Sequence, residues 1–283
     1  MLIWAKKRAP KGTLTFSSRG RTIKLYFFCT CNSSQRSILM DMTYVWLVLV
    51  SLVGGFLQAA VGFGYAVFVM VFFPLFIPSI PAASTVSCLL CMLASSWMLI
   101  QYRKSVQPKK VLWPIGAYFL VMPFAILLAT RIPQREMSIA LGVFLLAVGI
   151  YYLFYSGKLR IPSTPAAGLI TGALSGVFSG LFAVSAPPAA LYCLSVMETK
   201  EAYVSTLQFF FVVTNTYALT VRAMNGLITG QVLLWSLAAA VGMSLGMLAG
   251  GLVYRRADLS RIKRWVFIFI AVMGLWTIVS NLV

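Results

Sequence analysis

The sequence predicts an all-α polytopic membrane protein made of two inverted repeats of about five segments each. Three observations carry this. Hydrophobic residues fill 60% of the 283 positions and charged residues only 10%, against roughly 45–50% and about 25% in ordinary soluble domains. The apolar residues gather into ten segments separated by short polar joints. The breaks between segments in the first half superimpose on those in the second after a shift of 121 positions.

The chain starts with a basic tail, residues 1–41. It holds Lys6, Lys7, Arg8, Lys11, Arg19, Arg21, Lys24 and Arg36 against a single acid, Asp41. The tail is Ser-rich, shows weak periodicity, and has no apolar stretch followed by a small-residue cleavage site, so it does not read as a secretory signal. Met40 and Met42 directly precede the first span, which makes the tail an expected mis-assigned start or dispensable extension. Cys29 and Cys31 lie here with no other metal ligand nearby.

From Met42 onward there are 15 basic and 4 acidic residues, placed between apolar segments. The net charge of +18 therefore reflects membrane topology rather than nucleic-acid binding.

The first membrane repeat, 42–155, contains apolar segments at 43–60, 64–77, 82–102, 111–130 and 137–155. A linker at 156–164 carries Lys158, Arg160 and Pro162. The second repeat, 165–283, has segments at 165–183, 187–197, 201–222, 229–253 and 263–282. Most approach the roughly 20 residues that cross a bilayer. Segments 64–77 and 187–197 are too short, at about 1.5 Å per residue, for a hydrocarbon core of roughly 30 Å. The plan is thus eight full spans plus two short half-helices, or ten counted segments, with re-entrant and spanning versions equally compatible with the pattern. An odd number of crossings per repeat turns the second upside down relative to the first. The basic loops, Arg103/Lys104/Lys109/Lys110, Lys158/Arg160 and Arg255/Arg256/Arg261/Lys263/Arg264, then share one side. The positive-inside rule makes that side cytoplasmic and puts both termini outside, in the periplasm.

Catalysis and metal binding find little material. The chain has no histidine, and Glu136, Glu198, Glu201 and Asp258 all lie at segment ends. Arg222 closes a span, and no Lys or Arg sits in the middle of one. No cofactor and no metal is expected, and serines without a base nearby are not activated nucleophiles. Cys88 and Cys91 sit in an apolar span, where cysteine behaves as a small hydrophobe. Phe209, Phe210 and Phe211, with Trp113, Trp235 and Trp265, read as lipid-facing or interfacial residues.

The broken helices are the informative feature. A half-helix that begins inside the membrane aims free N–H groups and a partial positive charge at the midplane, and binds anions without side-chain charge. The first break runs from Gly54 to Gly64, where Gly62, Phe63 and Gly64 permit a sharp turn. The second runs from Gly172 through Gly180 to Ser185, Ala186, Pro187 and Pro188. There Ser185 is a candidate N-cap and the prolines suit a first helical turn. Gly172, Gly176 and Gly180 have the four-residue spacing of close helix packing, the simpler reading for those three. Gln58, Ser179, Gln208 and Asn215 are the polar residues expected to line a site between the breaks. For a lone Ser or Thr within a span, interhelical hydrogen bonding is the simpler role. Two half-helix ends meeting from opposite repeats make one central site for a small anionic substrate, in a protein whose other partner is the lipid bilayer.

At these breaks the chain resembles the TauE/SafE sulfite exporter family of membrane transporters. The resemblance rests on Gly55-x6-Gly62-Phe63-Gly64 and Gly176-x3-Gly180-x6-Pro187-Pro188. It is supported by Ala189-Ala190-Leu191-Tyr192, Asn225-Gly226-Leu227 and Gly242-x3-Gly246-x3-Gly250 before Arg255-Arg256. It covers about 43–282. It implies export of sulfite or an organosulfonate across the bacterial inner membrane. Where the family pattern carries glycines, this chain has Ala183, Ser185 and Ala186, which implies either a narrower second half of the site or changed hydrogen bonding there. The expected function is a secondary transporter working by alternating access. A passive anion channel and a non-transporting membrane subunit are the rivals.

Overall fold

The computed structural model describes residues 13–18, 21–26, 33–154, 162, 164–254 and 259–282. Lys158 and Arg160 of the linker, and Arg255, Arg256 and Asp258, lie outside them, and the side chains of Arg261, Lys263, Arg264 and Trp265 are likewise not described. Residues Met1–Thr43 and Tyr44–Val283 fall into separate compact units.

In the first unit, β1 (Thr13–Ser18) pairs antiparallel with β2 (Arg21–Tyr26), Leu14 opposite Leu25 and Phe16 opposite Ile23. The alternation that builds it was legible in Leu14, Phe16, Ile23 and Leu25, yet the sequence reading found only weak periodicity there. This hairpin is added to an otherwise helical chain.

The regular elements among the second unit's described residues are all helices. Its helices are α1 (Ser33–Val61, reaching in from the first unit), α2 (Tyr65–Phe76), α3 (Ile80–Tyr102), α4 (Leu112–Arg131) and α5 (Gln134–Phe154). They continue with α6 (Pro165–Phe182), α7 (Ala186–Val196), α8 (Lys200–Met224), α9 (Gly230–Tyr254) and α10 (Leu259–Leu282). Seven stretches among the described residues are long and apolar enough to cross a bilayer. Large apolar side chains such as Leu120, Phe124, Leu237 and Leu252 remain exposed along their outer faces, as a protein solvated by lipid requires.

Helix starts follow capping chemistry. The side chains of Ser79, Thr164 and Thr199 accept from the backbone N–H of Ala82, Ala167 and Ala202, at 3.3, 3.3 and 3.2 Å. Each satisfies one donor that the first helical turn leaves open.

A shift of 121 positions carries α2 onto α7 and α3 onto α8 almost residue for residue. The short helices α2 and α7, of 12 and 11 residues, are only about 18 and 16 Å long. Each folds back along the helix before it. Tyr65 Oη donates to Ser51 Oγ at 3.0 Å, and the Trp46 and Phe76 rings stack with centroids 5.9 Å apart. In the second pair Ser175 Oγ donates to the Ser185 carbonyl at 3.1 Å. Of the two versions the sequence allowed, the structure builds helical hairpins, α1–α2 and α6–α7.

Glycine rows set each hairpin against a helix of the other half. Gly242, Gly246 and Gly250 of α9 face the backbone of Val48, Leu52 and Phe56 in α1, the two helices running parallel. Gly172, Gly176 and Gly180 of α6 face Pro114, Tyr118 and Ala125 in α4, again parallel. A Cβ at most of these positions would collide with backbone, so the close-packing reading of Gly172, Gly176 and Gly180 describes their place in the fold. By contrast α3 and α8 run antiparallel, as do α5 and α10. Ser84 lies by Arg222 and Cys88 by Asn215, while Gly142 faces Gly274.

The ends of the helices sort into two sides. Gln107 N donates to Thr206 Oγ1 at 3.0 Å, and Lys110 Nζ to the Val196 carbonyl at 3.0 Å. The basic turns Arg103–Ser105 and Pro108–Val111 therefore lie with the end of α7 and the start of α8. The starts of α3 and α5 and the end of α8 form the opposite side, joined by Ile80 N donating to Gln134 Oε1 at 3.3 Å and by Arg222 bonding Ser84.

Candidate functional site

Two left-handed glycines end the first hairpin's tip. Gly62 has φ 87° and Gly64 φ 119°, a region that costs an L side chain roughly 1–2 kcal/mol. Gln58, one turn before, holds the turn from both ends. Its carbonyl accepts from Gly62 N at 2.8 Å, and its Oε1 accepts from Tyr65 N at 3.2 Å. The second tip turns at Ala183, the sole non-glycine with positive φ among the described residues, at 57°. Its N–H donates back to the Ser179 carbonyl at 2.9 Å.

The two tips meet. A cavity of about 20 Å³ is lined by Gln58, Phe63 and Gly64 from the first break and by Ala183, Ser185 and Ala186 from the second. Asn215 and Phe211 of α8, Cys91 and Ser95 of α3, and Ala66 in the first turn of α2 complete it. That volume holds about one water molecule. Ser95 Oγ is buried there with no protein partner, so its hydroxyl is available to a guest.

Six of the ten expected site residues thus share one cavity: Gln58, Phe63, Gly64, Ser185, Ala186 and Asn215. The other four stand elsewhere. Gly62 lines a larger space of about 350 Å³ with Tyr102, Glu198 and Lys200, so the 62–64 turn lies between the two spaces. Gln208, fully buried, donates from Nε2 to the Gly62 carbonyl and leaves its own Oε1 without a protein partner. Ser179 shares a 2.6 Å hydrogen bond with Tyr118 Oη. Pro187 lines an apolar groove of about 600 Å³ with Phe178, Leu174 and Pro188.

Two expectations change. Ser185 occupies the N-cap position of α7, but its side chain makes no capping bond. Its backbone there is αR rather than extended, which does not carry the hydroxyl over the first N–H groups. With Pro187 and Pro188 in the first turn, α7 also offers fewer N–H donors than α2. Phe210 and Phe211 are buried rather than lipid-facing, because α8 runs through the centre of the unit. Phe210 meets the Tyr118 ring edge-on at 6.0 Å, and Phe211 faces the cavity.

The residue that sequence reasoning missed is Arg222. It stands two residues before the end of α8, which read as a span terminus, yet it is only 1% exposed. Nη1 donates to Ser84 Oγ at 2.9 Å and Thr85 Oγ1 at 3.1 Å. Nη2 donates to the carbonyls of Ser179 at 3.0 Å and Gly180 at 3.1 Å. The available signal was Ser84-Thr85, a polar pair inside an apolar run.

Among the described residues no group of three or more His, Cys, Asp or Glu side chains could hold a metal ion. No curated protein and no solved structure matches the chain. The model of the family described as sulfite exporter TauE/SafE matches residues 47–277, which include both hairpin tips and every residue lining the small cavity, and the chain belongs to that family.

Proposed function

We propose that the protein is a secondary transporter that exports a small anion, sulfite or an organosulfonate, by alternating access around the cavity between the two hairpin tips. The observation that carries this reading is the joint lining of one buried space by Gln58, Phe63 and Gly64 of one break and Ser185 and Ala186 of the other. Helix starts that open into a buried space favour negative charge, which needs no cationic side chain at the site.

The repeats are inverted in this reading. Helices related by the 121-residue shift run antiparallel where they touch, which supports it. The basic side is cytoplasmic, in the inner membrane of a bacterium, and the spaces that open beside Gly62 and Gln101 face it. A cavity of about 20 Å³ leaves no room for a continuous aqueous pore in this conformation, as a carrier caught between its two access states requires. Helices α2 and α7 move with their hairpins, and the waist widens when an anion enters.

The test is efflux from proteoliposomes holding the purified full chain, loaded in turn with sulfite, sulfoacetate, sulfate and chloride, with and without a pH gradient. Saturable efflux selective for a sulfur anion is the expected result. Equal leakage of all four would indicate a channel. Absence of flux from folded protein would sink the transporter reading for these substrates.

A further inference from the structure

Arg222 carries a full charge into the helical unit, and no carboxylate lies among its partners. Its four hydrogen bonds to oxygen go to neutral groups, two hydroxyls at the start of α3 and two carbonyls in the last turn of α6, and the Cys88 thiol lies against the guanidinium. A helix C-terminus carries partial negative charge, so these carbonyls suit a cation. Nε is buried with no hydrogen-bond partner, so the guanidinium is not fully satisfied in this closed arrangement. The side chain therefore ties three elements together, α8, α3 and the tip of the second hairpin, on the side opposite the basic turns.

The 121-residue correspondence supplies a comparison within the same molecule. It pairs Arg222 with Gln101, Ser84-Thr85 with Ser205-Thr206, and Ser179-Gly180 with Gln58-Ala59. At the related place the tie is absent. Gln101 is exposed and lines an open space of about 630 Å³ together with Ala59 and Tyr102. One side of the unit is bound shut around a guanidinium, and its counterpart stands open around an amide.

We propose that Arg222 is a positioning residue of the anion site, the latch that holds the α6–α7 tip against α3 and closes the site on the side opposite the basic turns. Because it grips only neutral acceptors, release separates no ion pair, and the tip can detach in each cycle. Opening on that side breaks the bonds to Ser179 and Gly180, and closure remakes them. The inference rests on the transporter reading for its purpose, but its test does not need transport.

Cys91 lines the site and serves as the reporter. In the full chain with Cys29, Cys31 and Cys193 replaced by alanine, and Cys88, which touches Arg222 and Asn215, replaced by the near-isosteric serine, a small anionic methanethiosulfonate is applied from one side at a time, in right-side-out and inside-out vesicles. Arg222→Gln is expected to raise the Cys91 labelling rate from the opposite side about tenfold and to lower it from the basic side. Arg222→Lys, with one nitrogen in place of the fork, is expected to fall between. Gln101→Arg keeps Arg222 and adds the second tie, so it should slow labelling from the basic side, and it decides the matter if Arg222→Gln does not accumulate. In a variant that still transports, Vmax should fall with KM little changed. Labelling rates from both sides equal to the parent's in Arg222→Gln would overturn the latch, as would unslowed basic-side labelling in Gln101→Arg. Absence of flux with altered sidedness would uphold the latch and count against the proposed substrates alone.

Discussion

Gln208 reaches across from α8 to donate its side-chain N–H to the carbonyl of Gly62, tying the centre of a full-length helix to the tip of the first hairpin. The bond is wholly buried. It fixes the one turn that lies between the small cavity and the larger space on the basic side.

Gln208→Leu should leave that carbonyl buried and unpaired, at a cost of about 1–3 kcal/mol. The expected result is at least a tenfold fall in initial efflux rate with the protein still present in the membrane. Flux per molecule equal to the parent's would show that the tie does not govern the tip.

Gly62→Val should abolish transport without preventing insertion. The nearest atom to a Cβ there is Val204 Cγ2 at 3.9 Å, so space is adequate, and the penalty comes from φ 87°, which a β-branched residue rarely adopts. Gly116→Ala is the contrasting case. A Cβ there meets nothing within 4 Å inside helix α4, and the change should be neutral or stabilising by up to about 1 kcal/mol. Efflux and thermal unfolding of both variants in parallel check the pair.

Gly246→Leu should unfold rather than silence the protein. Its Cβ would meet the Leu52 carbonyl, and the helices cannot part without opening the whole α1–α9 seam. A loss on the order of 2 kcal/mol or more is expected, read as a lower midpoint of thermal unfolding in detergent. Gly251→Ala, with nothing within 4 Å of its Cβ, should leave the midpoint in place.

Ser95→Ala removes a buried hydroxyl that has no protein partner. Folding should be unaffected or slightly improved, since no bond is lost. If the hydroxyl binds the guest, KM for the transported anion should rise severalfold at constant Vmax. An unchanged KM would place the guest elsewhere in the cavity.

Much of this fold was legible because the bilayer leaves few choices. Apolar run lengths fixed nine of the ten described helices to within a few residues; α1 begins at Ser33, ten residues before the expected 43 and inside the stretch read as a tail. The 121-residue correspondence located both tips. The turn at the first tip was legible because Gly62 and Gly64 fall where an apolar run is cut short; close packing was the alternative, and their positive φ values assign them to the turn. Hairpin geometry was not, since a short apolar run looks the same whether it crosses or returns. Arg222 was missed because position along the chain is a poor guide to depth. One turn from a helix end is outside the fold in most helices, but the tip of α6 rises to meet it here. Phe210 and Phe211 were misplaced because aromatic runs mark lipid contact only on peripheral helices, and α8 is central.

The glycine seam between α1 and α9 also has a consequence for synthesis. Leu52 and Gly246 are separated by about 190 residues, which a ribosome adds in about 10–40 s at ~5–20 residues per second. During that interval the first hairpin rests in lipid with the backbone stripe of Val48, Leu52 and Phe56 uncovered, waiting for a partner that is the ninth of ten helices to be made. The seam that joins the two halves therefore closes late, and a chain halted before α9 cannot form it.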